Sequence, residues 1–178
     1  MRLDGFISLA SVTTSCGETL PAIEAVRRGL VEVPPRKAPK SWPTLGPGEV
    51  PVGTNLHTNA GRQLMIYCWG NKAPISDFAC TKFGIGTGTT PPTVNDVSLV
   101  NGLAFHLGGL FKDVNAIDYP EPYIARVSIT IGDTEAVGSL ITEFGLYSGN
   151  GTIINRSLLD VGFSKTNVAK TFLWRLRF

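Results

Sequence analysis

The amino-acid sequence predicts a mainly β protein, an antiparallel β-sandwich that carries an N-terminal helix and an extended proline-rich arm. Residues 125–131 and 171–178 alternate side chains between two faces, the pattern of half-buried strands. The runs 140–147 and 152–159 flank a glycine-rich turn at residues 148–151, which predicts a β-hairpin. Short antiparallel strands with glycine-rich turns are typical of a sandwich with Greek-key or meander connections.

One segment, residues 19–30, is predicted to be helical. Thr19 suits the N-cap, Pro21 is tolerated in the first turn, and apolar residues recur at near-helical spacing. Arg27 and Arg28 fall in the last turn, where the helix dipole favours positive charge. A parallel α/β fold would need repeated helices, which this pattern lacks.

After this helix, prolines recur about every fourth residue. They are Pro34, Pro35, Pro39, Pro43, Pro47 and Pro51. Neither a helix nor a central strand tolerates that density, so residues 31–53 are predicted to be an extended strap. Trp42 favours docking of the strap on a neighbour, because an aromatic side chain gains from burial; a disordered linker is the alternative.

These features divide the chain into an N-terminal helix and arm, residues 1–51, and a β-sandwich domain, residues 52–178. Removal of residues 1–50 is then expected to leave a folded β-domain that no longer assembles. Inside the second domain, residues 63–69 form an apolar run without a decisive period, which fits a helix or a strand.

Charge and composition argue against several classes of protein. With 16 basic and 14 acidic side chains, the formal net charge of +2 provides no strong field for nucleic acid or an anionic membrane. The sequence has neither a secretory signal pattern nor an apolar window long enough for a spanning helix, so the protein is expected to stay in the cytoplasm where it is made. Cys16, Cys68 and Cys80 are interpreted as small buried hydrophobes, because an odd, widely spaced set predicts no disulfide framework.

Residues 83–90 contain three glycines, as phosphate-binding loops often do. They lack the GxGxxG register and a GK[ST] ending, and they run into prolines instead of a helix. A tight connecting loop is therefore the favoured interpretation. His57 and His106 have no metal-ligand neighbours at the right spacing, and no nucleophile elbow of the GxSxG type occurs.

Three carboxylates lie close in the sequence, which could indicate a glycosidase pair or a cation site. Asp133 and Glu135 belong to a predicted turn, whereas Glu143 lies within a predicted strand. Glu143 is therefore interpreted as a buried or half-buried carboxylate that accepts hydrogen bonds from backbone amides. The sequence predicts no catalytic residue, no cofactor and no metal ligand.

Three motifs in order carry a resemblance to a known family. They are Asn55-Leu56-His57-Thr58-Asn59-Ala60-Gly61-Arg62; the stretch from Phe83 to Thr90 followed by Pro92, Asp96 and Leu99-Val100-Asn101; and Ile141-Thr142-Glu143-Phe144-Gly145-Leu146-Tyr147 followed by Asn155-Arg156-Ser157 and Trp174. This succession resembles tail-collar fibre and related minor virion proteins of tailed bacteriophages, over residues 52–178. The first 50 residues lie outside the match, and no fibre shaft follows it.

The resemblance implies a β-sandwich without catalytic residues that attaches a fibre to the virion or decorates it. The leading hypothesis is a tail, neck or baseplate component that attaches or adapts fibres. Alternatives are a head decoration or cement protein, a glycan-binding module with Tyr119, Tyr123 and Trp69 around a groove, and an enzyme such as a glycan hydrolase. The implied location is the virion.

The expected partners are other phage structural proteins, in a homo-oligomer or a ring-bound assembly, with neither nucleic acid nor membrane. A glycan partner stays open. The protein interface is predicted to include Leu20, Ile23, Arg27, Arg28, Trp42, Arg175 and Arg177. The helix and arm supply the first five of these residues, and the last strand supplies its two arginines because arginine is common at interfaces.

Overall fold

The computed structural model describes residues 4–14, 16–31, 45–105 and 109–177. Within these ranges the chain forms eleven strands and three helices. The strands are β1 (Asp4–Thr13), β2 (Thr19–Pro21), β3 (Val50–His57), β4 (Cys80–Gly86), β5 (Gly102–Leu103), β6 (Lys112–Asp113), β7 (Ala116–Glu121), β8 (Ile124–Ile131), β9 (Leu140–Ser148), β10 (Ile153–Ser164) and β11 (Ala169–Arg177). The helices are α1 (Ala22–Arg27), α2 (Asn59–Trp69) and α3 (Ile75–Phe78).

All of these strands belong to one hydrogen-bonded sheet with the order β5-β4-β9-β10-β3-β1-β11-β8-β7, while β2 pairs with β1 and β6 with β4. Every pair is antiparallel, which confirms the predicted mainly β, antiparallel fold. The predicted strands at residues 125–131 and at the end of the chain correspond to β8 and β11. The predicted hairpin is β9–β10.

The sheet curls so that strands far apart in its order face each other across the core. Phe144 of β9 contacts Phe172 of β11, with ring centroids 5.0 Å apart, and Trp174 of β11, at 6.3 Å. Three strands separate β9 from β11 in the sheet order. These rings are buried and belong to one continuous apolar core. Because hydrogen bonds join all the described strands in a single sheet, the predicted two-sheet sandwich is not confirmed.

A short link between β6 and β7 joins the two sides of the curled sheet. The amide of Val114 donates to the carbonyl oxygen of Thr81 on β4, at 2.9 Å. The amide of the next residue, Asn115, donates to the carbonyl oxygen of Ser128 on β8, at 2.8 Å. Successive residues thus bridge β4 and β8.

The predicted separation of residues 1–51 from the β-domain does not describe how this sheet is built. Strand β1 lies between β3 and β11 and pairs with both. Its side chains Ile7, Leu9 and Val12 are buried in the common core. No strand was predicted at these residues. A boundary at residue 51 would leave β3 and β11 without a shared neighbour.

Helix α1 is shorter than the predicted helix over residues 19–30. Thr19 and Leu20 pair instead with β1, which makes them part of β2, and the helix begins after Pro21. Gly29 has a φ of 69°, a left-handed conformation that ends a helix readily. The burial of Ala22 and Ala25 holds the remaining turn and a half against the sheet.

The predicted strap overlaps strand β3, which contains Pro51 and lies inside the sheet. The expectation that no central strand would include this proline is therefore wrong. Pro51 lies opposite Ser8, and the register between β1 and β3 shifts next to it, so that Val52 forms an irregularity in the ladder. The pairing of β3 with β10 begins only at Gly53, which leaves Pro51 where one neighbour pairs. Residues 32–44 of the strap lie outside the described residues.

The ambiguous run at residues 63–69 belongs to helix α2. The hydroxyl oxygen of Thr58 accepts a hydrogen bond from the amide of Gly61 at 3.0 Å, an N-cap that fixes the start of the helix. Leu64 is its only buried large apolar side chain. None of the described helices is long and apolar enough to cross a membrane.

Candidate functional site

The glycine-rich loop that follows β4 lies against the carboxylate of Glu143 on β9. A Cβ atom at Gly86 would lie 2.5 Å from Glu143 Oε1 and 2.6 Å from the carbonyl oxygen of Asn101. A Cβ atom at Gly88 would also lie 2.5 Å from Glu143 Oε1. These distances are shorter than side chains tolerate, so both positions need glycine for close approach.

Glu143 is completely buried and accepts hydrogen bonds from three backbone amides. The donors are the amides of Gly88, at 3.0 Å, Val100, at 3.2 Å, and Asn101, at 2.9 Å. This arrangement confirms the prediction of a buried carboxylate bound by backbone amides. It also gives the Gly88 amide a partner inside the protein, as in a tight connecting loop.

Arg156 of β10 neutralises this carboxylate. Its Nε donates to Glu143 Oε2 at 2.9 Å, its Nη1 to Asp96 Oδ2 at 2.8 Å, and its Nη2 to the carbonyl oxygen of Thr90 at 2.9 Å. Burial alone would lower the pKa of Arg156, but the bonds to Asp96 and Glu143 raise it above the ordinary arginine value. The guanidinium therefore stays charged and holds the 88–101 loop on β9 and β10.

This cluster is suited to structural support rather than to chemistry. The Glu143 and Arg156 side chains are 0% and 1% exposed, so a substrate has no access to either. Asp96 accepts further bonds from the amide and hydroxyl of Thr93. Glu143, Arg156 and residues of the 88–101 loop lie far apart in the sequence, and the structure brings them into one contact.

The other polar residues singled out from the sequence do not converge. His57 is buried at the end of β3, and His106 lies outside the described residues. Glu135 is bound by the Lys112 ammonium, with N–O distances of 2.8 and 2.9 Å. In the described ranges no three His, Cys, Asp or Glu side chains are grouped to hold a metal ion.

The N-terminal residues predicted for the interface have different environments. Contrary to the prediction, Leu20 is not available to a partner, because the pairing of β2 with β1 buries it in the core of its own chain. Ile23 is exposed. Arg27 and Arg28 are exposed and form ion pairs with Glu24 at 2.8 and 3.0 Å.

The two arginines of the last strand also differ. Arg175 is 2% exposed, and its guanidinium bonds Glu49 at 2.8 Å and the Ser8 hydroxyl at 3.0 Å. It is therefore part of the internal structure and not the surface residue that was predicted. Arg177 is exposed at the end of β11. Trp42 lies outside the described residues.

Helices α2 and α3 expose a group of large apolar side chains. Ile66 and Trp69 lie one turn apart on α2, and Ile75 begins α3. All three are more than half exposed, Trp69 by 90%. The sulfur of Cys68 bonds the carbonyl oxygen of Pro74 at 3.2 Å, which holds the start of α3 beside the end of α2.

The β7–β8 hairpin exposes two tyrosines. Tyr119 and Tyr123 are 77% and 79% exposed. An open concavity of about 460 Å³ is lined by the segment from Tyr119 to Ala125. Tyr123 has a φ of 66°, in the left-handed region where a bulky side chain is rare. These tyrosines and Trp69 are the residues proposed from the sequence for a glycan-binding groove, although such residues are more often buried in a core.

Strand registers place α2, α3 and this hairpin at the same end of the sheet. Ile124, the first residue of β8, lies opposite Arg177, and Gly5 lies opposite Leu176. Asp4 lies opposite Leu56 near the end of β3, which leads directly into α2. Helix α3 leads into the start of β4 beside the end of β9.

We call the group formed by Ile66, Trp69, Ile75, Tyr119 and Tyr123 the apolar end. Tyr67 on α2 and Ile117 on β7 are exposed to a smaller extent, and further exposed apolar side chains lie along residues 97–111, on and after α1, and at the opposite end of the sheet. Ile66 and Ile75 were not predicted as surface contacts. The sequence feature that could have indicated these exposed residues is the apolar run over residues 63–69, whose side chains lie on the exposed as well as the buried face of α2.

Comparison of the chain with protein-family models, curated proteins and solved structures finds no match.

Proposed function

We propose that this chain is a non-enzymatic structural component of a tailed-phage virion, a tail, neck or baseplate protein that attaches or adapts fibres through protein–protein contacts. The observation that carries the proposal is the apolar end. Side chains such as Trp69, at 90% exposure, are costly to leave in water, and groups of exposed apolar side chains mark interaction sites. A protein that works by contact needs such a surface, whereas an enzyme needs convergent polar groups in a cleft.

The buried cluster around Glu143 supports the phage part of the proposal. The resemblance rests on the order and spacing of short motifs that are far apart in the sequence. Residues from two of these motifs meet in one ion-paired unit, through Gly88, Glu143 and Arg156. These contacts link motifs that are far apart in the sequence, which favours a shared structural unit over a chance order of common residues.

We also propose that the curled sheet forms a sandwich, in which β4, β9 and β10 face β1, β11 and β8 across the aromatic core. The proline-rich residues with Trp42 are proposed to reach a neighbouring subunit, in a homo-oligomer or a ring-bound assembly.

Gold labelling of purified particles with an antibody against the full chain tests the location. The particles are those released by the bacterium that encodes the chain, viewed by electron microscopy. Label at the neck, tail or baseplate supports the proposal. Label spread over the head identifies a capsid decoration protein instead, and particles without label overturn a virion role.

A glycan-binding module is the second candidate, favoured by Tyr119 and Tyr123 beside the open concavity. Exposed aromatic rings offer apolar faces to sugar rings, and Glu121 in the same lining can accept hydrogen bonds from hydroxyl groups. Binding of the full chain to a glycan array, lost on Tyr119→Ser, would support this candidate. Absence of binding across host surface glycans would remove it.

A further inference from the structure

We propose that Lys165 and Lys170 form a binding site for a small oxyanion, such as phosphate, at the end of the apolar core where β10 leads into β11. Lys165 directly follows β10, and Lys170 is the second residue of β11. Their side chains are 1% and 2% exposed, although lysine is almost never fully buried unless it is paired. Such a pair of lysines needs a partner of negative charge.

Lys170 occupies a core position of the sheet. It lies opposite Val12 of β1 and Ile131 of β8, and both of these neighbours are fully buried members of the apolar core. Directly opposite residues of antiparallel strands place their side chains on the same face, so the Lys170 side chain lies on the core face. Along β11 the buried positions are Lys170, Phe172 and Trp174 in alternation. An apolar side chain would be the ordinary choice at residue 170, because burial of a charge costs free energy.

The Lys170 ammonium has no bond that would offset this cost. Its Nζ lies 5.6 Å from the centroid of the Phe163 ring. Among the residues that the structure describes, Lys170 forms neither a hydrogen bond nor an ion pair. Burial alone lowers the pKa of this ammonium, and no carboxylate acts to raise it. Attraction to an aromatic ring is modest, so the positive charge still lacks a counter-charge.

Lys165 brings a second positive charge to the same place. Its Nζ donates to the carbonyl oxygens of Asp133, at 3.2 Å, and Thr166, at 2.7 Å, which leaves one of the three ammonium protons for another acceptor. Burial lowers the pKa of Lys165 to about 8, and the charge of Lys170 is the next cause, so the two ammonium groups are near enough to repel each other. An anion between them would replace this repulsion by two attractions.

The acidic groups near this pair do not neutralise it. Glu135 accepts hydrogen bonds from the Lys112 ammonium at 2.8 and 2.9 Å. Asp133 is exposed, and its carboxylate accepts a hydrogen bond from the next amide of the chain at 2.9 Å. Both carboxylates act to raise the pKa of Lys165, but burial and Lys170 outweigh them. With Lys112 counted, three lysines stand against two carboxylates, so one positive charge is left over.

The chemistry of the two ammonium groups favours an oxyanion. Lysine binds phosphate as a point charge, and hydrogen bonds between ionised groups are about twice as strong as those between neutral ones. Two ammonium groups match a phosphate that carries close to two negative charges. The long, flexible stems of lysine let both ends adjust to a ligand. Because so little of either side chain is exposed, a small free anion is favoured over a phosphate group on a large molecule.

Thermal unfolding of the full chain with increasing inorganic phosphate tests the proposal. Sodium chloride holds the ionic strength constant, and the pH stays near neutral. We expect the unfolding temperature to rise with the logarithm of the phosphate concentration above the dissociation constant, as it does for a ligand that binds only the folded state. Isothermal titration calorimetry should detect one site per chain.

Lys170→Met is the decisive variant. It should abolish both the heat of binding and the rise in unfolding temperature. Because methionine replaces a buried charge by an apolar side chain of similar length, this variant should unfold at a higher temperature than the native chain when phosphate is absent. Loss of the phosphate response can therefore not be attributed to a failure to fold.

The matched control is Lys72→Met, which removes an exposed lysine after α2 and should keep the native response. Phosphate also stabilises many proteins because it is excluded from their surface. That general effect would appear equally in the native chain, Lys170→Met and Lys72→Met, and this outcome overturns the proposal. So does an unfolding temperature that does not respond to phosphate. Neither outcome affects the gold-labelling test.

Discussion

Glu143 and Arg156 form an ion pair with 2.8 Å between Oε2 and Nη2, and neither side chain is exposed by more than 1%. Removing one partner of such a pair leaves an uncompensated buried charge. Glu143→Gln should therefore lower the free energy of unfolding by about 3–5 kcal/mol. Urea unfolding followed by circular dichroism measures the change.

Glu24→Gln is the control for this substitution, since Glu24 pairs with the exposed Arg27 and Arg28. Solvent screens an exposed ion pair, so the control should unfold almost as the native chain does. Equal, small effects of both substitutions would mean that the Glu143 cluster does not stabilise the fold.

The close approach of the glycine-rich loop gives a second prediction. Gly88→Ala places a methyl group 2.5 Å from Glu143 Oε1 and should destabilise the protein through displacement of the carboxylate. Gly102→Ala meets nothing within 4 Å and should be neutral or slightly stabilising. Thermal unfolding compares the two. A Gly88→Ala protein as stable as Gly102→Ala would contradict the contact.

The sequence predicted features that depend on neighbouring residues, but not contacts between residues far apart in the chain. The alternation in β8 and β11, and the burial of Glu143 within a strand, are local and were predicted. The partners of Glu143 are not local: Arg156 lies 13 positions away and Asn101 lies 42. Only the curled sheet brings them together.

The wrong predictions also arose because the local pattern does not show which distant strands a segment pairs with. Residues 19–20 carry an acceptable helix start, but pairing with β1 satisfies their backbone and extends the sheet. Pro51 does not fit a regular internal strand. It is tolerated here because the register with β1 is irregular beside it and β10 does not pair with it. The two faces of α2 could not be assigned because its exposed side is as apolar as its buried one, the feature now proposed as an interface.

The central position of β1 leads to the third prediction. Ile7 is completely buried on this strand, so Ile7→Ala should cost about 2–5 kcal/mol in unfolding free energy. Ile23→Ala changes a half-exposed side chain on α1 and should cost far less. Chemical denaturation of both variants measures the difference.

A chain lacking residues 1–50 should fail to fold, because β3 and β11 lose their shared neighbour and Arg175 loses Glu49. This outcome reverses the expectation from the sequence. A truncated protein with native circular dichroism and a cooperative thermal transition would show that residues 1–50 are an appendage after all.

The cysteines should differ in reactivity. Cys16 is exposed, and a hydrogen bond with Thr14 lowers the pKa of its thiol. Burial raises the pKa of Cys80 to about 12. In a Cys68→Ser background, iodoacetamide at neutral pH should label Cys16 rapidly and the half-buried Cys80 far more slowly, as mass spectrometry of timed samples would detect. Labelling of Cys80 in the native state as fast as that of Cys16 would contradict the raised pKa of its thiol.

Lys165 gives a prediction for alkaline pH. It is 1% exposed, its ammonium donates to the carbonyl oxygens of Asp133, at 3.2 Å, and Thr166, at 2.7 Å, and burial lowers its pKa to about 8. The unfolded chain keeps this proton up to about pH 10.5, so between these values it binds more protons than the folded chain. Stability should therefore rise with pH, by about 1 kcal/mol from pH 8 to 9.

At the upper end of this pH range, the titration of Cys80 opposes the rise in stability that Lys165 causes. Its thiol stays protonated in the folded chain above the ordinary value of 9.0, so its contribution to stability falls as pH rises further. Lys165→Met should reduce the rise between pH 8 and 9, and Lys170, whose pKa burial also lowers, should account for what remains. Urea unfolding at several pH values measures both slopes. An unchanged slope in Lys165→Met would show that Lys165 keeps its proton over this range in the folded chain.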